Sequence, residues 1–129
     1  MASFLLDTNV VIRLRDGDDV VAENVAALDG AILLSIISRV ELEGGVYRDP
    51  SQASVRRVRL DAILASLPVL PFDDAAADSY RSIVAAAGYS RRKLLDRMIA
   101  AQALVHRATL VTQNAADFLD VPGLDLLVW

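Results

Sequence analysis

Four acidic residues on separate segments of the chain are the residues best suited to metal chemistry. They are Asp7, Glu41, Asp96 and Asp117. Carboxylates that converge from distant segments repel one another unless a cation neutralises them or some of them take up protons. Mg²⁺ and Mn²⁺ prefer oxygen ligands and retain bound waters, so either ion would suit such a cluster. A metal held in this way makes a bound water more acidic and stabilises a phosphoryl oxygen.

The elements that must position these acids alternate between short apolar strands and helices. Apolar runs predict strands at residues 3–7, 31–35, 68–72, 109–112 and 124–128. Helical patterns begin at Thr8, cover 20–28, begin again at Ser38, and cover 53–66 and 92–106, with a short helical turn at 115–118. A further helix, capped by Asp73 or Asp74, runs to about Ala87. This alternation predicts an α/β fold in which βαβ crossovers build a parallel sheet covered on both faces.

Two of the acids follow predicted strands directly. Asp7 stands where the first strand gives way to a helix, and Thr112 and Asn114 lie at the equivalent end of strand 109–112, with Asp117 just beyond. In open parallel sheets the functional crevice lies at the carboxyl ends of the strands. We therefore expect these residues to meet at one edge of the sheet.

The other two acids lie on predicted helices. Glu41 falls in the first turn of the helix after strand 31–35, at capping-box spacing from Ser38. Asp96 heads an almost wholly apolar helix that leads into strand 109–112, and a charge in that position is costly unless it is used. Both helices place their acids near the edge that Asp7 occupies.

Each acid also has an ordinary structural interpretation. Asp7 by itself would suit the N-cap of the following helix, Glu41 could simply complete its capping box, and Asp117 could solvate a surface turn. Because four acids come together at one edge, we interpret Asp7 as a metal ligand. We leave any capping role to Thr8, which with Asn9 would form the turn that leads the chain away.

Composition narrows the class of protein. The 129 residues are 54% hydrophobic, with no Cys and a net charge of −4, which fits one domain with a substantial core. No apolar run reaches the roughly 20 residues that span a bilayer, and no secretory leader precedes one. We therefore expect a cytoplasmic protein without a membrane anchor. A zinc site is improbable, since the single histidine, His106, is predicted to end a helix.

Four segments together resemble the PIN domain, and within it the VapC-type toxins of bacterial toxin–antitoxin pairs. The segments are "LLDTNVVI", "SIISRVELEGG", "LLDRMIAAQAL" and "LVTQNAADF", and the resemblance runs from Phe4 to Trp129. It implies a single PIN domain over residues 1–129, folded as a three-layer α/β/α sandwich with a central parallel sheet. It also implies a Mg²⁺- or Mn²⁺-dependent endoribonuclease.

The same resemblance implies roles for individual residues. Asp7 and Asp96 would be the principal metal ligands, and Glu41 would bind metal or orient and deprotonate the attacking water. Either Asp117 or Asn114 would supply the fourth oxygen, and we favour Asp117 for its charge. Thr112 would support the cluster through its hydroxyl, and Asn9 is a further supporting residue.

Binding partners follow from the resemblance and from the charges. An acidic site cannot attract RNA unaided, so basic residues must hold the flanking phosphates. The candidates are Arg13, Arg15, Arg39, Arg91, Arg92, Lys93 and Arg97, and they are densest in "SRRK", residues 90–93. Toxins of this kind are bound by a VapB-type antitoxin and form homodimers. The apolar helices 20–28 and 53–66 would supply the groove for the antitoxin.

Three other functions compete with this one. A receiver-like signalling domain requires an acidic pair after its first strand and a Lys after its last, but Thr8 follows Asp7 and the only lysine, Lys93, precedes strand 109–112. A phosphatase with an Asp nucleophile requires a second Asp where Asn9 stands. The more serious alternative is a PIN fold that binds RNA or a partner without cutting.

Overall fold

The computed structural model describes residues 2–129, which are organised around a five-stranded sheet. Neighbouring strands are all parallel, in the spatial order β3-β2-β1-β4-β5. The strands are β1 (Ser3–Leu6), β2 (Ala31–Ser35), β3 (Val69–Leu70), β4 (Thr109–Thr112) and β5 (Leu126–Val128). All five predicted strands are present, although β3 and β5 are shorter than their apolar runs.

Six α-helices connect the strands. They are α1 (Thr8–Arg15), α2 (Asp19–Ala26), α3 (Ile36–Arg48), α4 (Ala53–Ser66), α5 (Asp74–Ala87) and α6 (Leu94–Val105), and short 3-10 helices cover Pro50–Gln52 and Ala115–Phe118. No helix within residues 2–129 has the length and apolar character needed to cross a membrane.

The start of α3 differs from the prediction. The helix begins at Ile36, and its N-cap is Ser35, whose hydroxyl accepts a hydrogen bond from the Ile37 amide at 3.0 Å. The predicted cap at Ser38 is therefore wrong, because the last residue of β2 already provides the hydroxyl. This earlier start places Glu41 in the second turn of α3 rather than in the first.

Two apolar cores lie on opposite faces of the sheet and create the three-layer α/β/α arrangement. Alternation along the strands separates them, because Leu5 and Leu110 enter one core whereas Leu6 and Val111 enter the other. Helices α5 and α6 cover the first face, and α1 to α4 cover the second. The predicted fold class is confirmed.

The strand order brings the ends of β1 and β4 together at the centre of the sheet. Leu6 is in register with Val111, so Asp7 and Thr112 emerge side by side at the carboxyl edge. The Asp7 amide donates to the Val111 carbonyl at 2.8 Å and extends the pairing by one residue. Connections on either side of this pair turn in opposite directions, which leaves the crevice expected of such a switch point.

Candidate active site

Asp7 is anchored at the centre of the carboxyl edge. Its residue is only 3% exposed, and both carboxylate oxygens accept hydrogen bonds. The Thr8 amide donates to Oδ1 at 2.9 Å, and the Thr112 hydroxyl donates to Oδ2 at 2.8 Å. Burial raises the pKa of Asp7 above its usual value, an effect that the two hydrogen bonds oppose and the nearby Asp117 charge reinforces.

Asp7 is also the N-cap of α1, which corrects the sequence interpretation. Helix α1 begins at Thr8, so Thr8 and Asn9 are helical rather than a turn, and the Asp7 carboxylate receives the Thr8 amide. Capping uses one oxygen and leaves the carboxylate at the crevice, so capping and a metal-binding position are compatible. The prediction that Thr8 rather than Asp7 has the capping role is therefore wrong.

Glu41 reaches the crevice from α3 and is held there by a hydroxyl pair. The Thr8 hydroxyl donates to Glu41 Oε1 at 2.8 Å and lies 2.8 Å from the Ser38 hydroxyl. Partial desolvation of the carboxyl group raises the pKa of Glu41; the Thr8 bond lowers it, and the Asp7 charge raises it further. Sequence reasoning missed this role of Thr8 and Ser38, although the spacing of Ser38 and Glu41 placed both on one helix face.

Asp96 lies in the first turn of α6 and is the most strongly perturbed carboxyl group of the site. Burial, followed by the charges of Asp7, Asp117 and Glu41, raises the pKa of Asp96 to about 6, while Arg92 lowers it. The charges of Asp7, Asp117 and Glu41 all act on the Asp96 carboxyl group, so the four predicted acids influence one another electrostatically. That they converge on one metal ion stays a prediction.

Asp117 and Asn114, the two candidates for the fourth ligand oxygen, are hydrogen-bonded to each other. The Asn114 side-chain amide donates to Asp117 Oδ2, and its backbone amide donates to the Thr112 hydroxyl at 2.9 Å. Thr112, which is fully buried, thus links Asp7 to the 3-10 helix that carries Asp117. In this arrangement the exposed Asn114 holds the half-buried Asp117 carboxylate. The choice of Asp117 for the fourth oxygen stays a prediction.

The donor set suits a hard divalent cation. It consists of carboxylate oxygens whose mutual repulsion raises the pKa of Asp96, and a cation would relieve that repulsion. As they stand, no three acidic or histidine side chains within residues 2–129 are grouped closely enough to hold a metal ion. Metal binding by these acids stays a prediction. His106 follows the last residue of α6 and is exposed, as predicted for a helix-end residue.

Most basic residues proposed for RNA binding are paired with nearby carboxylates. The pairs are Arg13 with Asp18 (3.5 Å), Arg39 with Glu43 (3.6 Å), Arg92 with Asp117 (3.7 Å) and Lys93 with Asp120 (3.1 Å). Arg91 is exposed. The density of positive charge in "SRRK" is thus partly offset by acids that are distant in sequence.

Two arginines do not support the RNA-binding prediction at all. Arg97 is 2% exposed and donates to the Gly88 carbonyl at 2.5 Å and to Asp120 at 3.0 Å. Arg15 is 4% exposed and donates to Asp16 at 3.1 Å. Both assignments are wrong, because neither guanidinium group is exposed enough to bind a phosphate directly. Arg97 links α6 to Gly88 and Asp120, whereas Arg15 is buried beside the adjacent Asp16.

The comparison with known families identifies the class of protein. The model of the PIN domain matches residues 4–124, so the chain belongs to the PIN-domain family. Among curated relatives, Ribonuclease VapC2 of Rickettsia felis is 28% identical over 98% of this chain and 97% of its own. The tRNA(fMet)-specific endonuclease VapC of Shigella flexneri is 29% identical over 100% of this chain and 99% of its own.

The fold of this chain is similar to that of a solved structure from one of the same organisms. A chain in the crystal structure of VapBC2 from Rickettsia felis, bound to a DNA fragment from its promoter, superposes with a TM-score of 0.84. The two chains are 27% identical, and the match covers 98% of each. Nearly the whole of this chain thus has a counterpart in a VapC-type structure.

Proposed function

We propose that this protein is a metal-dependent endoribonuclease and the toxin of a type II toxin–antitoxin pair. The observation that carries the proposal is the buried Asp7 at the carboxyl edge of β1 and β4 in a PIN domain, whose charge raises the pKa of both Glu41 and Asp96. The two curated relatives, a ribonuclease and a tRNA-specific endonuclease, match over nearly their full lengths and support the same activity. A cytoplasmic location would suit an enzyme that acts on RNA.

Asp7 and Asp96 would hold the Mg²⁺ or Mn²⁺, and Glu41 and Asp117 would complete the site. The cation would supply an acidified water and stabilise charge on the phosphoryl oxygens. Asp7 is suited to fix its position, because hydrogen bonds from Thr8 and Thr112 hold both of its oxygens. Support for this assignment comes from the oxygen-only donor set and from the raised pKa of Asp96.

Glu41 is the residue we assign to the proton of the attacking water. Thr8 occupies Oε1, which orients the carboxylate and leaves Oε2 available to accept a proton. The raised pKa of Glu41 favours that transfer relative to an ordinary glutamate. The water oxygen would attack phosphorus in line as its proton passes to Glu41, and the bond to the 3′-oxygen would break. The released 3′-oxygen would take a proton from solvent, so the products would carry a 5′-phosphate and a 3′-hydroxyl.

A cleavage assay tests the activity. Purified protein should cut RNA in the presence of Mg²⁺ and stop when EDTA is added, and Asp7→Asn and Asp96→Asn should each remove the activity. Cleavage that survives both substitutions would identify a contaminating nuclease. Tight RNA binding without cleavage would instead favour the alternative, a PIN-fold module that binds RNA or a partner.

The proposed partner is a VapB-type antitoxin, with the toxin itself forming a homodimer. An apolar groove of about 420 Å³ lies between α1, α2 and α4, where the sequence predicted a docking surface. Leu14, Val25 and Ile63 are among its lining residues. An amphipathic antitoxin tail would bury its apolar side chains there.

Co-expression with a candidate VapB-type antitoxin tests this partner. The two proteins should co-purify, and removal of the antitoxin's C-terminal segment should abolish the complex. Tight binding unaffected by that truncation would rule out the groove as the docking surface. Sedimentation of the toxin alone tests the homodimer.

A further inference from the structure

Five basic side chains are distinguished from the rest by having no carboxylate partner. The other eight of the 13 basic residues form ion pairs within the described residues 2–129. The five are Arg48, Arg56, Arg59, Arg91 and Arg107. An unneutralised guanidinium group is available to a phosphate in a way that an ion-paired one is not.

Two of these five arginines line the same cavity as Glu41. The cavity has a volume of about 410 Å³ and lies between α1, α3 and α4. Glu41, Gly45 and Arg48 line it from α3, where their spacing of four and then three residues places them on one helix face. Arg56 enters from α4, and Thr8 joins the cavity to the carboxylate site.

Arg56 is held in position for binding. Its Nη1 donates to the Gly45 carbonyl at 2.9 Å, and the residue is half-buried, so its guanidinium plane is fixed while other donors remain available. Gly45 also permits the buried Arg15 to approach, since a Cβ at position 45 would lie 3.1 Å from Arg15 Nη1. Arg15 therefore contributes a third positive charge close to the pair.

The cavity is positive although the protein is negative. Three arginines and two carboxylates, Asp16 and Glu41, line it, whereas the whole chain carries −4. Arg15 and Asp16 pair with each other, so within residues 2–129 the lining cations without an ion-paired carboxylate are Arg48 and Arg56. The Arg56 charge also lowers the pKa of Asp49, which lies outside the cavity lining. RNA that reaches Glu41 would meet these two positive charges in the same cavity.

We propose that Arg48 and Arg56 form a phosphate-binding subsite that holds the RNA backbone beside the scissile phosphate. The inference rests on the proposed ribonuclease function and deepens it. Seven residues of α3 separate Arg48 from Glu41, a rise of roughly 10 Å along the helix axis. That separation suits a neighbouring phosphate of the same strand rather than the one being cut. Arg56 offers a planar guanidinium group whose orientation is fixed, and the exposed Arg48 adds a second positive charge to the cavity lining.

The salt dependence of RNA binding tests the subsite. Binding of a fluorescein-labelled, mixed-sequence single-stranded RNA is measured between low and moderate salt in the Asp96→Asn background, which leaves the RNA uncut. Each lost phosphate contact should reduce the slope of log K against log salt by about 0.7. Arg48→Gln and Arg56→Gln should each show this reduction, and the double variant should show about twice as much.

Arg107→Gln is the matched control. Arg107 is exposed and without a carboxylate partner in residues 2–129, but it precedes β4 and so lies at the opposite edge of the sheet. Its substitution should leave the slope unchanged. Equal reductions of the salt slope in Arg48→Gln, Arg56→Gln and Arg107→Gln would indicate general electrostatic attraction and would overturn the subsite. Unchanged slopes in both Arg48→Gln and Arg56→Gln would also overturn it, even if these variants no longer bound the antitoxin.

Thermal melting of the variants and RNA cleavage by the unsubstituted protein serve as controls for the salt-dependence experiment. Arg48 is exposed, so Arg48→Gln should fold normally even if Arg56→Gln, which loses a hydrogen bond to Gly45, does not. Thermal melting of both variants checks this. Failure of the protein without substitutions to cleave RNA in Mg²⁺ would refute the proposed function, whereas cleavage with unaltered salt slopes in the cavity variants would refute only the subsite.

Discussion

Asp7 and Asp96 belong to one candidate site, but the protein holds them in opposite ways. Asp7 is 3% exposed, and hydrogen bonds from Thr8 and Thr112 restrain both of its oxygens. Asp96 is half-buried, and burial and three neighbouring carboxylates set its pKa. The strand end thus provides a carboxylate fixed by the fold, and the helix provides one whose state depends on the charges around it.

This difference between Asp7 and Asp96 explains how a folded protein can hold several carboxylates near one another without a bound cation. The hydrogen bonds to Asp7 compensate for part of its burial, so that carboxylate can stay central. Partial exposure and proton uptake limit the cost of placing Asp96 nearby. A site made of four residues like Asp7 would be rigid but strongly self-repelling.

The largest expected effect is the loss of activity when either carboxylate is removed. Asp7→Ala and Asp96→Ala should each reduce RNA cleavage by about 10³-fold, a magnitude typical of losing a preorganised electrostatic group.

The two substitutions should change the free energy of unfolding in opposite directions, and this difference tests the contrast between Asp7 and Asp96. Asp7→Ala should lower the free energy of unfolding by about 1–3 kcal/mol, because the Thr8 amide and Thr112 hydroxyl lose their acceptor.

Asp96→Ala should instead raise the free energy of unfolding at pH 7 by about 1 kcal/mol, once solvent screening is allowed for. It removes a charge that three neighbouring acids disfavour and introduces a strong helix former. Urea unfolding in EDTA measures both variants. If the two substitutions shift stability in the same direction, the distinction between a fixed and a responsive carboxylate is wrong.

Thr112→Val should have the next largest effect, because it removes one hydroxyl from the support of Asp7. The valine has a similar shape, but the buried Oδ2 of Asp7 loses its donor and the Asn114 amide loses its acceptor. We expect a loss of about 10–100-fold in cleavage, as for residues that support metal ligands. Stability should fall by about 1–3 kcal/mol.

Thr112→Ser is the control for that substitution. It keeps the hydroxyl that donates to Asp7 and should retain most of the cleavage activity. Cleavage rates and Mg²⁺ titrations of the two variants side by side distinguish hydrogen bonding from packing. Equal losses in Val and Ser would show that the methyl group, rather than the hydroxyl, supports the site.

Stability should depend on pH and Mg²⁺ in a way that Asp96 dominates. The pKa of Asp96 is about 6 in the folded protein and 3.8 in its unperturbed state, so the folded form binds the proton more tightly. Its stabilising contribution is complete below pH 3.8 and is lost as the pH rises through 6. In EDTA, the melting temperature should therefore fall by a few degrees between pH 5 and pH 7.5, and Asp96→Asn should flatten that decline.

Millimolar Mg²⁺ should restore the melting temperature at pH 7.5, since a ligand that binds only the folded state stabilises it. Because scanning fluorimetry needs no RNA, it examines the metal site independently of activity. A melting temperature at pH 7.5 that does not respond to either Mg²⁺ or Mn²⁺ would contradict the assignment of the cation.

The sequence could predict the fold, and could nominate the four acids as site residues, because both leave local signals. Buried parallel strands appear as short apolar runs, and Asp7 interrupts one where it ends. The ion pairs could not be predicted in the same way. Arg97 meets Asp120, 23 residues away, only because α6 and the final 3-10 helix pack together. "SRRK" is dense in sequence but partly neutralised in space, whereas Arg48 and Arg56 are separated in sequence and share a cavity.

The smallest predicted effect concerns Arg92, whose influence should distinguish Asp96 from Asp7. Its guanidinium lies 3.7 Å from Asp117 and lowers the pKa of Asp96, but it is not among the groups that perturb Asp7. Arg92→Gln should raise the titration midpoint of Asp96 by a few tenths of a pH unit, equivalent to about 0.5 kcal/mol for an exposed charge.

Carboxyl NMR titration in EDTA measures this midpoint. Adding 0.5 M KCl to the unsubstituted protein should have a similar effect, because exposed charges are screened. Arg91→Gln, an equal charge change on the neighbouring residue, should leave Asp96 almost unaltered. An equal response of Asp7 and Asp96 to Arg92→Gln would show that the whole site senses surface charge and that the hydrogen bonds to Asp7 do not set it apart.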